Sequence, residues 1–187
     1  FPNSLMDYRD DPLISLTIAL LLILGGIGFT VIVDLVRNRR WRKLKLHSKL
    51  MLVMTPALLL LGTLMFWLLE HNNPATFGNA GPGGQLLAAF FQSATARTAG
   101  FNTVDIGQMV PASLLFMMML MFIGAGATST GGGIKVTTFA VVLLATRAFL
   151  TKRPYVTAFG RTLSPQIVTR SLAIIIVSVM VLMLAMF

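Results

Sequence analysis

The first feature of this sequence that could carry chemistry is a short loop centred on one glycine. The segment 85–96 before it is apolar but only about 12 residues long, which is too short to span a bilayer and predicts a re-entrant helix. A glycine after such a helix can turn successive backbone carbonyls inward, where they replace the hydration shell of an ion. The alternative is a plain extracellular turn at Gly100. The residues that could form such an ion-selectivity filter are Thr98, Ala99, Gly100, Phe101 and Asn102.

A second run is rich in glycine and hydroxyl side chains, with five glycines in the ten residues 124–133. Such a run cannot continue as a stable helix. A phosphate-binding loop is excluded because Gly133 is followed by Ile134 and not by Lys and Ser or Thr. We therefore expect a broken transmembrane helix, with Lys135 facing protein or water, or else snorkelling or forming an ion pair. The candidate residues of this loop are Gly124, Gly126, Ser129, Thr130, Gly131, Gly132, Gly133 and Lys135.

The composition is that of a membrane protein. Hydrophobic residues make up 56% of the 187 residues, charged residues only 11%, and the mean hydropathy is +0.82. The absence of cysteine excludes a disulfide scaffold and a thiolate metal site. His47 and His71 fall on opposite sides of a predicted span, and Asp7, Asp10 and Asp11 form an exposed cluster on the outer side, so no catalytic constellation is found. An enzyme is therefore not expected.

The apolar segments and the basic residues together predict the topology. Spans are expected over 13–36, 50–69 and 111–146, and a further one begins at 171. Twelve of the fifteen Lys and Arg residues lie in the loops 37–49 and 147–170, so the positive-inside rule places both loops in the cytoplasm. The net charge of +9 is thereby explained as a topology signal next to lipid, and no nucleic-acid partner is expected.

A weak internal repeat supports a modular fold. Phe1, Pro12 and Gly25 recur as Phe101, Pro111 and Gly124, an offset of about 100 residues. We predict an all-α membrane protein built from potassium-channel-like repeats of transmembrane helix, re-entrant pore helix and transmembrane helix. The chain reads as a fragment of a longer protein: the end of one repeat (1–36), a cytoplasmic linker (37–49), a complete repeat (50–146, with helix 50–69, pore helix 85–97, filter loop 98–102 and broken helix 111–146), a second linker (147–170) and the start of another repeat (171–187).

Two acidic residues allow more than one interpretation. Asp34 lies near the inner end of the first span, where a contact with the nearby arginines or a helix-end contact is expected. Asp105 follows the candidate filter, and it either attracts cations to the mouth or caps a turn.

Two motifs together identify a family resemblance. Thr-Ala-Gly-Phe-Asn at 98–102 and Ser-Thr-Gly-Gly-Gly-Ile-Lys at 129–135 closely resemble the Trk/Ktr/HKT superfamily of potassium transporters. The residues at 96–97 and 136–140 resemble its bacterial, Ktr-type branch. The run at 25–29 is similar to the inner helix of the family's second repeat. The resemblance covers nearly the whole chain.

The resemblance implies four repeats around one pore, of which this chain holds the end of the second, the whole third and the start of the fourth. It implies that 98–102 is one quarter of a potassium filter with Gly100 as its key residue, and that 124–133 is an intramembrane gating loop. It further implies a multi-pass plasma-membrane protein that forms a homodimer and binds a cytosolic ring of nucleotide-binding subunits. Potassium is then the substrate and sodium an activator, without an organic cofactor. A sodium-selective relative and a non-conducting structural subunit are the alternatives.

Overall fold

A computed structural model describes residues 3–97, 100–129 and 131–186. Within these ranges the regular structure is helical, apart from one small hairpin of two antiparallel strands and one isolated β-bridge. The helices are α1 (Pro12–Ile27), α2 (Phe29–Arg37), α3 (Leu46–Glu70), α4 (Pro82–Thr95), α5 (Pro111–Phe122), α6 (Val136–Leu150) and α7 (Pro165–Ala185), and the strands are β1 (Thr157–Ala158) and β2 (Arg161–Thr162).

Proline sets the beginning of four helices. Pro12, Pro82, Pro111 and Pro165 each occupy the first helical position of their helix. A proline fits there because its fixed φ matches the helix and its missing N–H would have no intrahelical acceptor. Asp11 adds a cap to α1 by accepting hydrogen bonds from the backbone N–H groups of Leu13 and Ile14 at 2.9 and 3.2 Å.

The first predicted span is bent rather than continuous. Its two helices, α1 and α2, meet at an angle of 88° around Gly28. Gly28 has φ +91° and ψ 143°, a conformation that residues with a Cβ rarely adopt. A Cβ at this position would also lie 2.6 Å from the carbonyl oxygen of Ala127. Hydropathy alone does not register such a break, because the residues on both sides of it are apolar.

The other helices differ from the predicted segments mainly at their ends. Helix α3 begins four residues before the expected 50, and α7 begins six before the expected 171. These added residues are polar or flank the apolar stretch, so hydropathy marks the part of each helix in hydrocarbon and misses the turns in the interface. The linker 147–170 contains the last turn of α6 and the β-hairpin, neither of which was expected.

Helix α4 lies in the centre of the described structure and packs against α1 and α3. From Ala88 to Thr95 nearly every residue is buried, as a short helix that does not span the membrane requires. Close approach to α3 depends on Gly62, where a Cβ would overlap the hydroxyl of Ser93. That hydroxyl donates a 2.9 Å hydrogen bond to the carbonyl of Leu59. Small residues thus hold α4 in place with little free volume.

Candidate functional site

The candidate filter loop follows α4 directly. Gly100 has φ +78° and is exposed, and a Cβ built on it would meet no atom within 4 Å. The backbone conformation, and not a lack of space, therefore favours glycine here. Thr98 and Ala99, the first two predicted filter residues, lie outside the described residues. Beside the loop a largely apolar cavity of about 950 Å³ opens, to which Gly100 and Phe101 contribute.

The end of the filter loop is fixed by hydrogen bonds to neighbouring residues. The Thr95 hydroxyl donates to the carbonyl oxygen of Phe101. The backbone N–H of Asn102 donates to Ser4 Oγ, and its carbonyl oxygen accepts from the N–H of Leu5, both at 3.0 Å. The predicted filter spans all of 98–102, but in the structure the carbonyls of Phe101 and Asn102 already serve as hydrogen-bond acceptors. This arrangement favours a positioning role for these two residues.

The predicted break in the third span is a closed loop between α5 and α6. Ile123 and Ile134 form a parallel bridge at its base, and the N–H of Ile134 donates to the carbonyl of Phe122 at 3.0 Å. At Gly124 a Cβ would overlap the carbonyl oxygen of Gly132. Gly133 has φ +74°, and a Cβ there would lie 3.0 Å from the amide N of Gly124. The glycines thus permit two stretches of backbone to touch.

The side chains of Lys135 and Ser129 stabilise this loop by donating hydrogen bonds to backbone carbonyls within it. The ammonium Nζ of half-buried Lys135 donates to the carbonyl oxygen of Gly131 at 2.8 Å. The Ser129 hydroxyl donates to the carbonyl oxygen of Gly126 at 2.6 Å. Of the interpretations left open for Lys135, the structure thus shows a contact with protein. Thr130 lies outside the described residues.

The two helix breaks contact each other, which brings to the site both Gly26, from the run 25–29, and Thr30, which the sequence did not single out. The N–H of Gly126 donates to the carbonyl oxygen of Gly26 at 2.8 Å, and the hydroxyls of Thr30 and Thr128 lie 3.0 Å apart. Gly28 packs against the same loop, as described above. The equivalence of Gly25 and Gly124 in the internal repeat is the signal that could have suggested this contact.

A buried carboxylate links several elements on the side of the structure that is predicted to face the cell exterior. Glu70, the last residue of α3, is completely buried and accepts three hydrogen bonds. The donors are Asn73 Nδ2 at 2.8 Å, Thr76 Oγ1 at 2.6 Å and the N–H of Val110 at 2.8 Å. It therefore joins the end of α3, the following connector and the start of α5. Sequence reasoning missed it, because a lone acid at the end of an apolar helix looks like an interfacial residue.

The structure assigns both ambiguous acids to local contacts. Of the two contacts expected for Asp34, the structure shows the one at a helix end and not the one with the arginines. Its carboxylate accepts from Asn38 Nδ2, from the N–H of Lys45 and from the Ser48 hydroxyl, at 2.9, 2.9 and 2.5 Å. Neutral donors replace arginine here because the chain turns back at 38–45 and brings the start of α3 to the end of α2. Asp105 accepts from the N–H of Gly107 at 2.9 Å and so caps a turn.

Comparison with known proteins identifies the family. The family model described as "TrkH: Cation transport protein" matches residues 1–187. Ktr system potassium uptake protein B of Vibrio alginolyticus is 56% identical over 191 residues, which cover 100% of this chain and 42% of that protein. The potassium/sodium uptake protein NtpJ of Enterococcus hirae is 36% identical over 176 residues, covering 94% of this chain and 39% of that protein.

A solved structure agrees on the fold. The crystal structure of the potassium transporter TrkH from Vibrio parahaemolyticus superimposes with a TM-score of 0.70 at 23% identity, over 90% of this chain and 36% of that one. This similarity confirms the predicted all-α membrane fold. The chain spans less than half the length of the relatives it matches. It belongs to the TrkH family of cation transport proteins, which are multi-pass plasma-membrane transporters and not enzymes.

Proposed function

We propose that the protein containing this chain takes up potassium across the plasma membrane, and that this chain contributes one filter loop and one gating loop to its pore. The observation that carries the proposal is Gly100, which follows a buried re-entrant helix and has a left-handed backbone conformation. A loop of this kind can direct main-chain carbonyls toward an ion. The similar proteins are named as a potassium uptake protein and a potassium/sodium uptake protein, and both names favour potassium as the substrate.

Within the loop we assign different roles to the residues. The carbonyls of Thr98, Ala99 and Gly100 coordinate potassium, while Phe101 and Asn102 fix the loop through their hydrogen bonds. Asn102 forms hydrogen bonds with Ser4 and Leu5, which lie three and four residues after Phe1, the residue that corresponds to Phe101 in the repeat. We therefore propose that 1–36 and 50–146 belong to adjacent repeats whose filter loops brace each other, and that α7 begins the next repeat.

The loop between α5 and α6 is the proposed gate. Helix α5 is 12 residues long and α6 is 15, or about 18 and 22 Å, so the loop between them falls near the middle of a bilayer. In the proposed topology this loop lies on the cytoplasmic side of the filter loop, which enters the membrane from the outer side. Hydrogen bonds within the loop, including that of Lys135 to Gly131, stabilise the closed conformation. A glycine-rich loop also has the low local stability that a moving part requires.

The assembly follows from the same resemblance. We propose a homodimer whose cytosolic face binds a ring of nucleotide-binding regulatory subunits, with sodium as an activator. Two of the comparisons support parts of this scheme: one similar protein is named as a component of a Ktr system, and another is named for both potassium and sodium. The second of these names also favours one competing function, a sodium-selective transporter of the same family.

The full-length protein reconstituted in liposomes tests this function. Uptake of potassium or its tracer rubidium into the vesicles should saturate, and a tenfold excess of sodium should compete poorly. Protein-free vesicles are the control. Stronger uptake of sodium than of potassium would favour the sodium-selective alternative, and no uptake of either cation with the regulatory subunits present would contradict transport altogether.

A further inference from the structure

A small polar cavity lies where α6 ends and the β-hairpin begins. Its volume is about 110 Å³. Because one water molecule occupies about 30 Å³ in the liquid, the cavity has room for a group of roughly the size of a phosphate. It is lined by Leu144, Arg147, Ala148, Thr151, Arg153, Tyr155 and Thr157.

Among the described residues, the two arginines of this cavity have no anionic partner. Within the described ranges neither guanidinium makes a hydrogen bond or an ion pair, and both residues are exposed. The loops 37–49 and 147–170 contain twelve basic residues and no Asp or Glu. Planar guanidinium groups bind phosphate oxygens in a bidentate manner. The charge in the cavity is thus unneutralised and suited to a phosphate.

Backbone hydrogen bonds fix the turn that carries these arginines. The N–H of Arg153 donates to the carbonyl of Ala148, and the N–H of Thr151 donates to the carbonyl of Arg147, both at 2.9 Å. The Thr151 hydroxyl donates to that carbonyl as well, at 2.7 Å. The hairpin that follows is closed by the pairing of Thr157 with Thr162. The cavity therefore exists before a ligand binds.

The depth of the cavity matches the headgroup layer. Arg147 follows the first residue of α6, Val136, by about 17 Å along the helix axis. With the helix break near the bilayer centre, this distance exceeds half of a hydrocarbon core of about 30 Å. Next to Arg147, Phe149 and Leu150 are 82% and 74% exposed, and Tyr155 is 67% exposed. Exposed apolar and aromatic side chains at this depth fit acyl chains and the membrane interface.

We propose that this cavity binds the phosphate group of an anionic phospholipid in the cytoplasmic leaflet. A lipid fits better than a soluble anion, because the exposed apolar residues beside the cavity contact its acyl chains while the arginines hold its phosphate. The proposal rests on the membrane placement given for the helix break under the proposed function, but it does not depend on the roles proposed for the filter and the gate.

Native mass spectrometry of the full-length protein, delipidated in detergent and titrated with phosphatidylglycerol or phosphatidylcholine, tests the proposal. The double variant Arg147→Gln/Arg153→Gln should bind phosphatidylglycerol at least tenfold more weakly at one site per protomer. Arg39→Gln/Arg42→Gln removes the same charge from the other cytoplasmic loop and should keep that site. Arg147→Lys/Arg153→Lys should bind with intermediate affinity, since charge remains but bidentate geometry is lost.

Three results would overturn the proposal. These are equal phosphatidylglycerol binding by the wild type and the Arg147→Gln/Arg153→Gln variant, an equal loss in the Arg39→Gln/Arg42→Gln control, and displacement of the lipid by millimolar inorganic phosphate. Should the double variant fail to fold, Arg153→Gln alone gives the same comparison, because Arg153 lies on an exposed turn. Binding only of an acidic segment of a protein partner, with no preference among lipids, would also contradict it.

Discussion

The N–H of Gly126 donates a 2.8 Å hydrogen bond to the carbonyl oxygen of Gly26, and this bond joins the breaks of two different transmembrane segments. Each break exposes backbone groups that lipid cannot satisfy, so pairing the breaks removes part of that cost. The same contact couples the proposed gating loop to the bend at Gly28. Movement of one break therefore requires adjustment of the other.

Gly28 is the position where this coupling is most sensitive to substitution. Gly28→Ala forces a Cβ into the carbonyl of Ala127 and into an unfavourable backbone conformation, so we expect a loss of roughly 1–3 kcal/mol in the free energy of unfolding. Gly25→Ala is the matched control, because its Cβ would meet no atom within 4 Å. Denaturant unfolding in detergent measures both, and equal stability of the two variants would contradict the packing.

Glu70 should be essential for stability although it belongs neither to the filter loop nor to the proposed gate. Glu70→Ala leaves three donors without their acceptor, and we expect a loss of about 2–4 kcal/mol. Glu70→Gln keeps the size of the side chain but presents an N–H group to one or more of these donors, so an intermediate loss is expected. Asp105→Ala, which removes only one exposed cap, should cost less than about 1 kcal/mol. Equal effects of Glu70→Ala and Asp105→Ala on the unfolding midpoint would refute the assignment.

Lys135 should keep the proposed gate closed. Lys135→Met keeps a side chain of similar length but removes the hydrogen bond to Gly131. If the closed state is thereby destabilised by about 1 kcal/mol, the fraction of open gates rises about fivefold. We therefore expect higher potassium flux without the regulatory partner. Lys135→Arg keeps a charged donor and should stay near the wild type. Unchanged flux for Lys135→Met at matched protein levels would place the gate elsewhere.

The topology gives a further prediction. In a cysteine-free full-length background, a single cysteine at exposed Ala75 should react with an impermeant thiol reagent from outside the cell. A cysteine at exposed Arg39 or Arg161 should react only after the membrane is opened. Labelling of Ala75→Cys and Arg161→Cys from the same side would be incompatible with a re-entrant α4.

The sequence predicts much of this fold because hydropathy and charge are local signals. The short apolar segment at 85–96 and the glycines at 124–133 correspond to α4 and to the loop between α5 and α6. The bend at Gly28 was missed because it depends on a contact with Ala127, about 100 residues away, that no local pattern encodes. Glycine is tolerated in a straight helix as well as in a break, so its presence does not decide between them.

The site was predictable in its residue types but not in its bonding. The motif at 98–102 contains the glycine that the backbone conformation favours, yet the acceptor roles of Phe101 and Asn102 depend on Thr95, Ser4 and Leu5. Glu70 was missed for a similar reason, since its three donors come from the connector and from the start of α5. Buried polar networks arise from tertiary packing, and a single sequence does not encode which donors converge.

The selectivity of a Gly100→Ser variant of the full-length protein tests the central claim most directly. A side chain at φ +78° strains the backbone and can turn a carbonyl away from the ion, so the ratio of potassium to sodium uptake should fall at least tenfold. Gly81→Ser is the control, because Gly81 has an ordinary φ of −63° and open space around it. An unchanged ratio in a normally expressed Gly100→Ser protein would show that Gly100 only forms a turn and that the filter lies elsewhere.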